Sequence, residues 1–328
     1  MFEDWIYKYL SRTSCALTFL VNPIFIYLIF SEKSSKFGNY RFLLLYFAFF
    51  NFIYSVVNVS VPLDIHNYRY SFFIFVRHGW FMERSDLNFH ILVARCSIVA
   101  SSYAVLLSHF IYRYLVISDS SLTRRHFHWY MTGSFLLSVV YFSLWHVTCY
   151  FPGRANFELL QYIREDFQET FGLDSTEFNM VGALFSVGSY ETTHRAWIAT
   201  ISWSAVSIAS ITSFFVMARL IMRKLKKMTV RTSQKTSRFQ FELLRALIVQ
   251  TVIPICISFS PCLLCWYGPI FGIQLDRSFN YFETTALGVF SFVDPIAIIL
   301  CLPIFRCRIL KCFSKTYKNN RTTSISRN

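Results

Sequence analysis

The sequence predicts an all-α membrane protein, a single bundle of seven transmembrane helices with its N-terminus outside and its C-terminus in the cytoplasm. Three observations carry that expectation. Of 328 residues, 54% are hydrophobic and only 15% charged, with a mean hydropathy of +0.41; a soluble chain needs about 25% charged residues to cover its surface. Seven stretches approach the roughly 20 apolar residues that cross about 30 Å of hydrocarbon. Lys and Arg crowd into alternate loops, as cytoplasmic loops require. With 37 Phe and 19 Tyr against 10 Gly and 8 Pro, disorder and collagen-like repeats are excluded, and a soluble enzyme nearly so. The net charge of +14 is not gathered on one face, so no nucleic-acid partner is expected.

In chain order the expected spans cover residues 13–30, 41–63, 88–112, 130–150, 197–220, 243–267 and 281–302. The first follows Glu3 and Asp4 instead of a basic start and a small-residue cleavage site, so it is expected to stay as an anchor. Membrane barrel strands alternate over about 10 residues, whereas these runs are longer and continuously apolar. The loops after the first, third and fifth spans, with the tail, hold about 21 of the 32 Lys and Arg, which places them inside. No loop is long enough for a second domain, so residues 1–328 form one domain. The largest loop, 151–196, carries Leu160, Ile163, Phe167 and Phe171 at helical spacing. It predicts a short amphipathic helix, either resting on headgroups or covering the outer mouth. In the tail, 303–328, Phe305, Ile309, Cys312 and Phe313 alternate with Arg306, Arg308 and Lys311. A short interfacial helix is expected there, its Cys307 or Cys312 either acylated or free.

Polar residues at membrane depth usually face the bundle interior and mark function. Arg95 and Arg113 lie 18 residues apart, which is about five turns. One stripe of the third span thus joins Arg95, Val99, Ser102, Leu106, His109 and Arg113. Arg95 either faces the bundle or snorkels to headgroups, and Arg113 either faces inward or anchors the inner end. In the seventh span Glu283 and Asp294 share a face, and Asp294 is too deep to reach water. It is expected to be protonated or paired with a polar group such as Asn51 of the second span. Pro295 follows it and is expected to bend that helix, and Pro254 with Pro261 bends the sixth span, freeing carbonyls and allowing a pivot. Cys96 and Cys149, near outer span ends, either pair or remain buried thiols. The sequon at Asn58 falls inside a span and is unusable.

Intramembrane enzymes need residues this chain lacks. A membrane aspartyl protease needs two facing Asp, and only Asp294 lies in a span. Metal hydrolysis needs His or carboxylate clusters at helical spacing, and the 8 His are scattered. No serine nucleophile set, phosphate loop or dinucleotide fingerprint occurs. Neither catalysis nor any cofactor or metal is expected.

The run Gln250-Thr251-Val252-Ile253-Pro254 with Pro261 seven residues on, the ending Tyr112-Arg113-Tyr114, Asp294-Pro295, Gly38-Asn39-Tyr40-Arg41, Tyr54-Ser55 and the stretch 65–76 together resemble the seven-helix nematode chemoreceptors of the Str group, with the Srj group close behind. The likeness covers almost the whole chain. It implies a rhodopsin-like architecture and a G-protein-coupled chemosensory receptor in the plasma membrane of sensory neurons, on their cilia. Its partners would be a small, apolar or weakly polar odorant, a heterotrimeric G protein and membrane lipid. By that resemblance Tyr112, Arg113 and Tyr114 meet the G protein, while Asn51, Pro254, Pro261, Asp294 and Pro295 form the conformational switch. The odorant would enter from outside and bind among the third, fifth, sixth and seventh spans, with Arg95, Glu283, Ser102, Trp203 and Trp266 as contacts. The alternative reading is a ligand-gated channel or transporter, against which stand the absence of inverted repeats and of paired broken helices.

Overall fold

The computed structural model describes residues 2–31, 38–229 and 234–310. Among them, seven helical segments are long and apolar enough to cross a membrane. In chain order these are α1 (Phe2–Ser31), α2 (Tyr40–Ser60), α3 (Asp86–Ile117), α5 (Phe127–Tyr150), α8 (Tyr190–Thr229), the pair α9 (Gln234–Pro254) with α10 (Ser260–Tyr267), and α11 (Arg277–Cys301). Short helices α4 (Ser121–Arg124), α6 (Phe157–Tyr162) and α7 (Arg164–Phe171) occupy loops. The bundle is mostly helical, as expected, with longer helices than the apolar windows: α3 runs on to Ile117 and α8 to Thr229. Polar caps fix some ends. Ser85 accepts the Asn88 amide at 3.1 Å and starts α3, satisfying a donor that the first turn leaves orphaned.

α3 is the central post. It packs on α5 and α8, and 17 of its residues are buried, so its interior is the polar stripe read from the sequence. Arg95 is 1% exposed, His109 1% and Arg113 3%; the interior-facing alternative holds for both arginines. The sixth span is broken where its proline predicts. Pro254 ends α9, and residues Ile255–Phe259 form a π-helical turn before α10, the local widening that leaves a helix free to bend. Pro295, by contrast, sits inside an unbroken α11.

A three-stranded antiparallel sheet closes the outer end: β1 (Leu63–Tyr68), β2 (Ser71–Val76) and β3 (Met180–Leu184), in that order. The expected second span overran this element, since its helix stops at Ser60 and Leu63 already pairs with Val76. One face of the sheet, with Leu63, Ile65, Phe72, Val76 and Val181, joins the core of the bundle. The other, with Phe73, Phe75, Met180 and Leu184, is covered by Leu159, Leu160, Ile163, Phe167 and Phe171. The amphipathic helix expected in the long loop is therefore two helices, α6 and α7, and its apolar face lies on the sheet. At the inner end residues 303–310 are helical, with Phe305 buried against Phe25 and Cys307 exposed. Lys311, Cys312 and Phe313 fall outside the described residues.

Candidate functional site

A cavity of about 70 Å³ lies beneath the sheet, lined by residues of β1, β2, α3, α5, α8, the sixth span and α11. Its roof is Leu63, Ile65 and Ile74; its walls include Val99, Tyr103, Ser207, Phe259, Trp266 and Leu287. Nearly all the lining is apolar, and Tyr103 and Ser207 satisfy one another at 3.2 Å. The exception is Glu283. This carboxyl group is 1% exposed and accepts hydrogen bonds from the thiols of Cys265 and Cys262. One wall is thin: Ile208 of α8, which lines the cavity, is 59% exposed.

The expected contacts separate into four places. Trp266 and Glu283 line the main cavity. Ser102 lines a second, deeper one of about 20 Å³ that shares Val99, Tyr103, Phe259 and Leu287 and also reaches Pro254 and Asp294; its hydroxyl donates to the Val99 carbonyl at 2.6 Å. Trp203 stands behind the main wall, packed on Trp266 and Trp145 at 5.9 and 6.4 Å between ring centres. Arg95 turns to a small side cavity with Asn58 and Thr284. There it donates to Asn58 Oδ1 and lies 5.1 Å over the Tyr54 ring. Tyr103, Phe259, Cys262 and Ser207 were not singled out by sequence reasoning, although the sixth-span proline marks the turn that presents Phe259.

Asn51 and Asp294 are both buried, but they do not pair. Asn51 donates to Asn22 Oδ1 at 3.4 Å, and Asp294 Oδ1 has no partner among the described residues. Pro261 is buried in the first turn of α10. Cys96 and Cys149 are adjacent free thiols, the unpaired alternative.

At the inner end Arg113 is held by an aromatic face and an amide. Its guanidinium lies 3.5 Å from the Tyr40 ring centre, with Nη1 donating to Gln240 Oε1 at 3.4 Å. Gln240 belongs to α9, so this contact ties the third span to the sixth. Tyr112 stacks on Tyr40 at 5.3 Å, and Tyr114 lies under the Lys224 ammonium at 4.3 Å.

Comparison with known proteins agrees with this architecture along most of the chain. Residues 1–309 match the family described as serpentine type 7TM GPCR chemoreceptor Srj. The chain is 67% identical to serpentine receptor class J-38 of Caenorhabditis elegans, over 94% of each. It is 21% identical to serpentine receptor class r-10 of Caenorhabditis briggsae, covering 95% of this chain and 91% of the relative. It is 22% identical to the G-protein coupled receptor str-33 of Caenorhabditis elegans, covering 93% and 91%. The motifs placed Str first and Srj second, and identity along the full length reverses that order. Short motifs mark a broad set of receptors, and only the whole length separates its groups.

Proposed function

Because the chain belongs to the Srj family of serpentine seven-transmembrane chemoreceptors, we propose that it binds a small, mainly apolar environmental molecule in the cavity beneath the sheet and activates a heterotrimeric G protein through the region around Arg113. One observation carries this reading: α3 and the sixth span wall the cavity at the outer end and meet through Arg113 and Gln240 at the inner end. A ligand that prefers the conformer with α9 displaced shifts the population toward it. The displacement removes Gln240 from Arg113 and opens an inner cleft for a G-protein helix. The π-helical turn after Pro254 lies between the two ends and is the pivot, with Asp294, Pro295, Pro261 and Asn51 packed in the bundle interior around it. Trp266 and Glu283 touch the ligand directly, Ser102 from the deeper cavity, while Arg95 and Trp203 position the walls.

The sheet seals the outer mouth with buried apolar side chains, so the ligand crosses the bilayer and passes Ile208 of α8. An apolar molecule partitions into lipid at little cost, which suits that route. The site of action is the plasma membrane of a chemosensory neuron, at its cilium. Arg113→Ala is the decisive variant: it loses agonist-stimulated nucleotide exchange while its surface expression matches the parent. Undiminished exchange would reduce Arg113 to a structural tie between the third and sixth spans. Ionic current from the purified protein in liposomes would favour a channel instead.

A further inference from the structure

Among the described residues Glu283 is the one carboxyl group lining the main cavity, and its partners there are thiols. A carboxyl group in an apolar, water-poor space is costly unless it is well paired, and an ionisable side chain at membrane depth usually marks a functional site. A thiol is a weak donor. No Lys, Arg or His pairs with Glu283 among the described residues: Arg95 turns to Asn58 and Tyr54, and Arg277 stacks on Phe171 and donates to Tyr281. Polar groups nearby are also short of partners. Asn280, one turn away on α11 and 1% exposed, approaches Cys265 Sγ at 3.9 Å through Oδ1, while its Nδ2 has no partner among the described residues. Asn67 donates to the Cys265 carbonyl at 2.8 Å and leaves Oδ1 without a partner among the described residues.

We propose that Glu283 is the anchor for an amino group, so that the ligand class is short aliphatic amines. This inference rests on reading the cavity as the ligand site. The amine enters through the bilayer as its neutral base. In the site the Glu283 carboxyl group passes its proton to the amine, so that an ammonium faces the carboxylate, and its N–H donors replace the thiol hydrogen bonds with charge-assisted ones. The hydrocarbon tail lies among Val99, Phe259, Leu263 and Trp266. Size limits the tail, because the space is only about 70 Å³. An acid of the same skeleton has no basic group to take the Glu283 proton and is ionised in water, so its entry into an apolar space is costly, and an alcohol binds through an ordinary hydrogen bond.

The test uses the purified full-length chain in nanodiscs, without G protein, and reads thermal unfolding against increasing propylamine, propan-1-ol and propionic acid. A ligand that binds the native state alone raises the midpoint in proportion to its affinity. Propylamine should stabilise the parent at concentrations at least about 30-fold lower than propan-1-ol, with propionic acid weakest. That ratio is the low end of what losing one partner of a buried, hydrogen-bonded charge pair costs. Glu283→Gln, which keeps the shape, should remove the amine preference while propan-1-ol binding stays within about threefold. Should that variant fail to fold, the order of the three probes on the parent still decides. Equal affinity for amine and alcohol, an unchanged amine preference in Glu283→Gln, or no shift with propylamine up to about 10 mM overturns the proposal. None of these readings depends on signalling, so a failure here leaves the Arg113 test of the receptor reading intact.

Discussion

Arg95 is the largest side chain less than 2% exposed among the described residues, and its surroundings show how narrowly such a cation is accommodated. Nη2 donates to Asn58 and the guanidinium covers Tyr54, while Nε and Nη1 have no partner among the described residues. Room for Asn58 comes from Gly288, where a Cβ atom would stand 2.7 Å from Asn58 Nδ2. Replacing Asn58 by Leu strands the charge, and an uncompensated buried cation costs on the order of 3–5 kcal/mol. The expected outcome is a clear fall in thermal midpoint and surface expression for Asn58→Leu. Most of the loss should return in the double variant Asn58→Leu, Arg95→Met, because a buried polar pair replaced whole by apolar groups is often near neutral. A double variant no better than the single would show that Arg95 is stabilised by something other than Asn58. The sequence placed Arg95 on the inward stripe through simple helical periodicity. It could not supply the partner, since Asn58 read only as an unusable glycosylation signal and pairing between helices leaves no trace in spacing.

At the level of elements, the outer sheet was the part least legible in the chain. Strand β2 reads Ser71-Phe72-Phe73-Ile74-Phe75-Val76, without alternation, because both faces are covered, one by the bundle and one by α6 and α7. Continuous apolar character is what a strand buried on both sides shares with a membrane span, and at the end of α2 the apolar Val61-Pro62-Leu63 likewise reads as span although Leu63 already belongs to β1. The aromatic and β-branched enrichment over six residues was the signal available. The cap also buries a charge. Asp64 on β1 is 3% exposed, and burial raises its pKa above the ordinary 3.8 despite attraction from Arg277, Arg77 and His66. Between the unfolded and folded pKa values the native chain binds more protons than the unfolded one. Stability therefore falls as pH rises through that window, and the penalty is complete above the folded value. Asp64→Asn removes it. The variant's thermal midpoint should exceed the parent's at pH 7, and the gap should close as pH falls toward about 4. Asp174 acts in the opposite sense, since hydrogen bonds from Thr176 and Arg164 lower it to about 2. Its contribution is present above the unfolded value near 3.8 and is lost as pH falls through the folded one, so the difference between variant and parent is the quantity to follow. A gap that stays constant with pH would mean that Asp64 matters through packing alone.

For the whole molecule, the number of spans and the polarity of the loops follow from bulk properties, hydrocarbon thickness and leaflet charge, which a sequence states directly. The shape of the cavity does not, because it depends on how seven surfaces meet: Tyr103, Ser207 and Cys262 converge from three helices whose individual patterns read as ordinary packing. That convergence is what makes long-range coupling testable. If one displacement of the sixth span both reshapes the cavity and frees Arg113 from Gln240, ligand and G protein bias the same equilibrium, and their effects must be reciprocal. Saturating nucleotide-free heterotrimer should tighten ligand binding in nanodiscs by a factor of about 5–150. Saturating ligand should tighten heterotrimer binding by the same factor. Arg113→Ala should weaken the heterotrimer in both conformers and, because it removes the Gln240 contact that holds the resting conformer, should tighten ligand binding to the uncoupled receptor. Both factors equal to one, with binding of each partner intact, would mean that the π-helical turn after Pro254 bends independently of what occupies the bundle, and that the cavity and the inner cleft belong to separate motions.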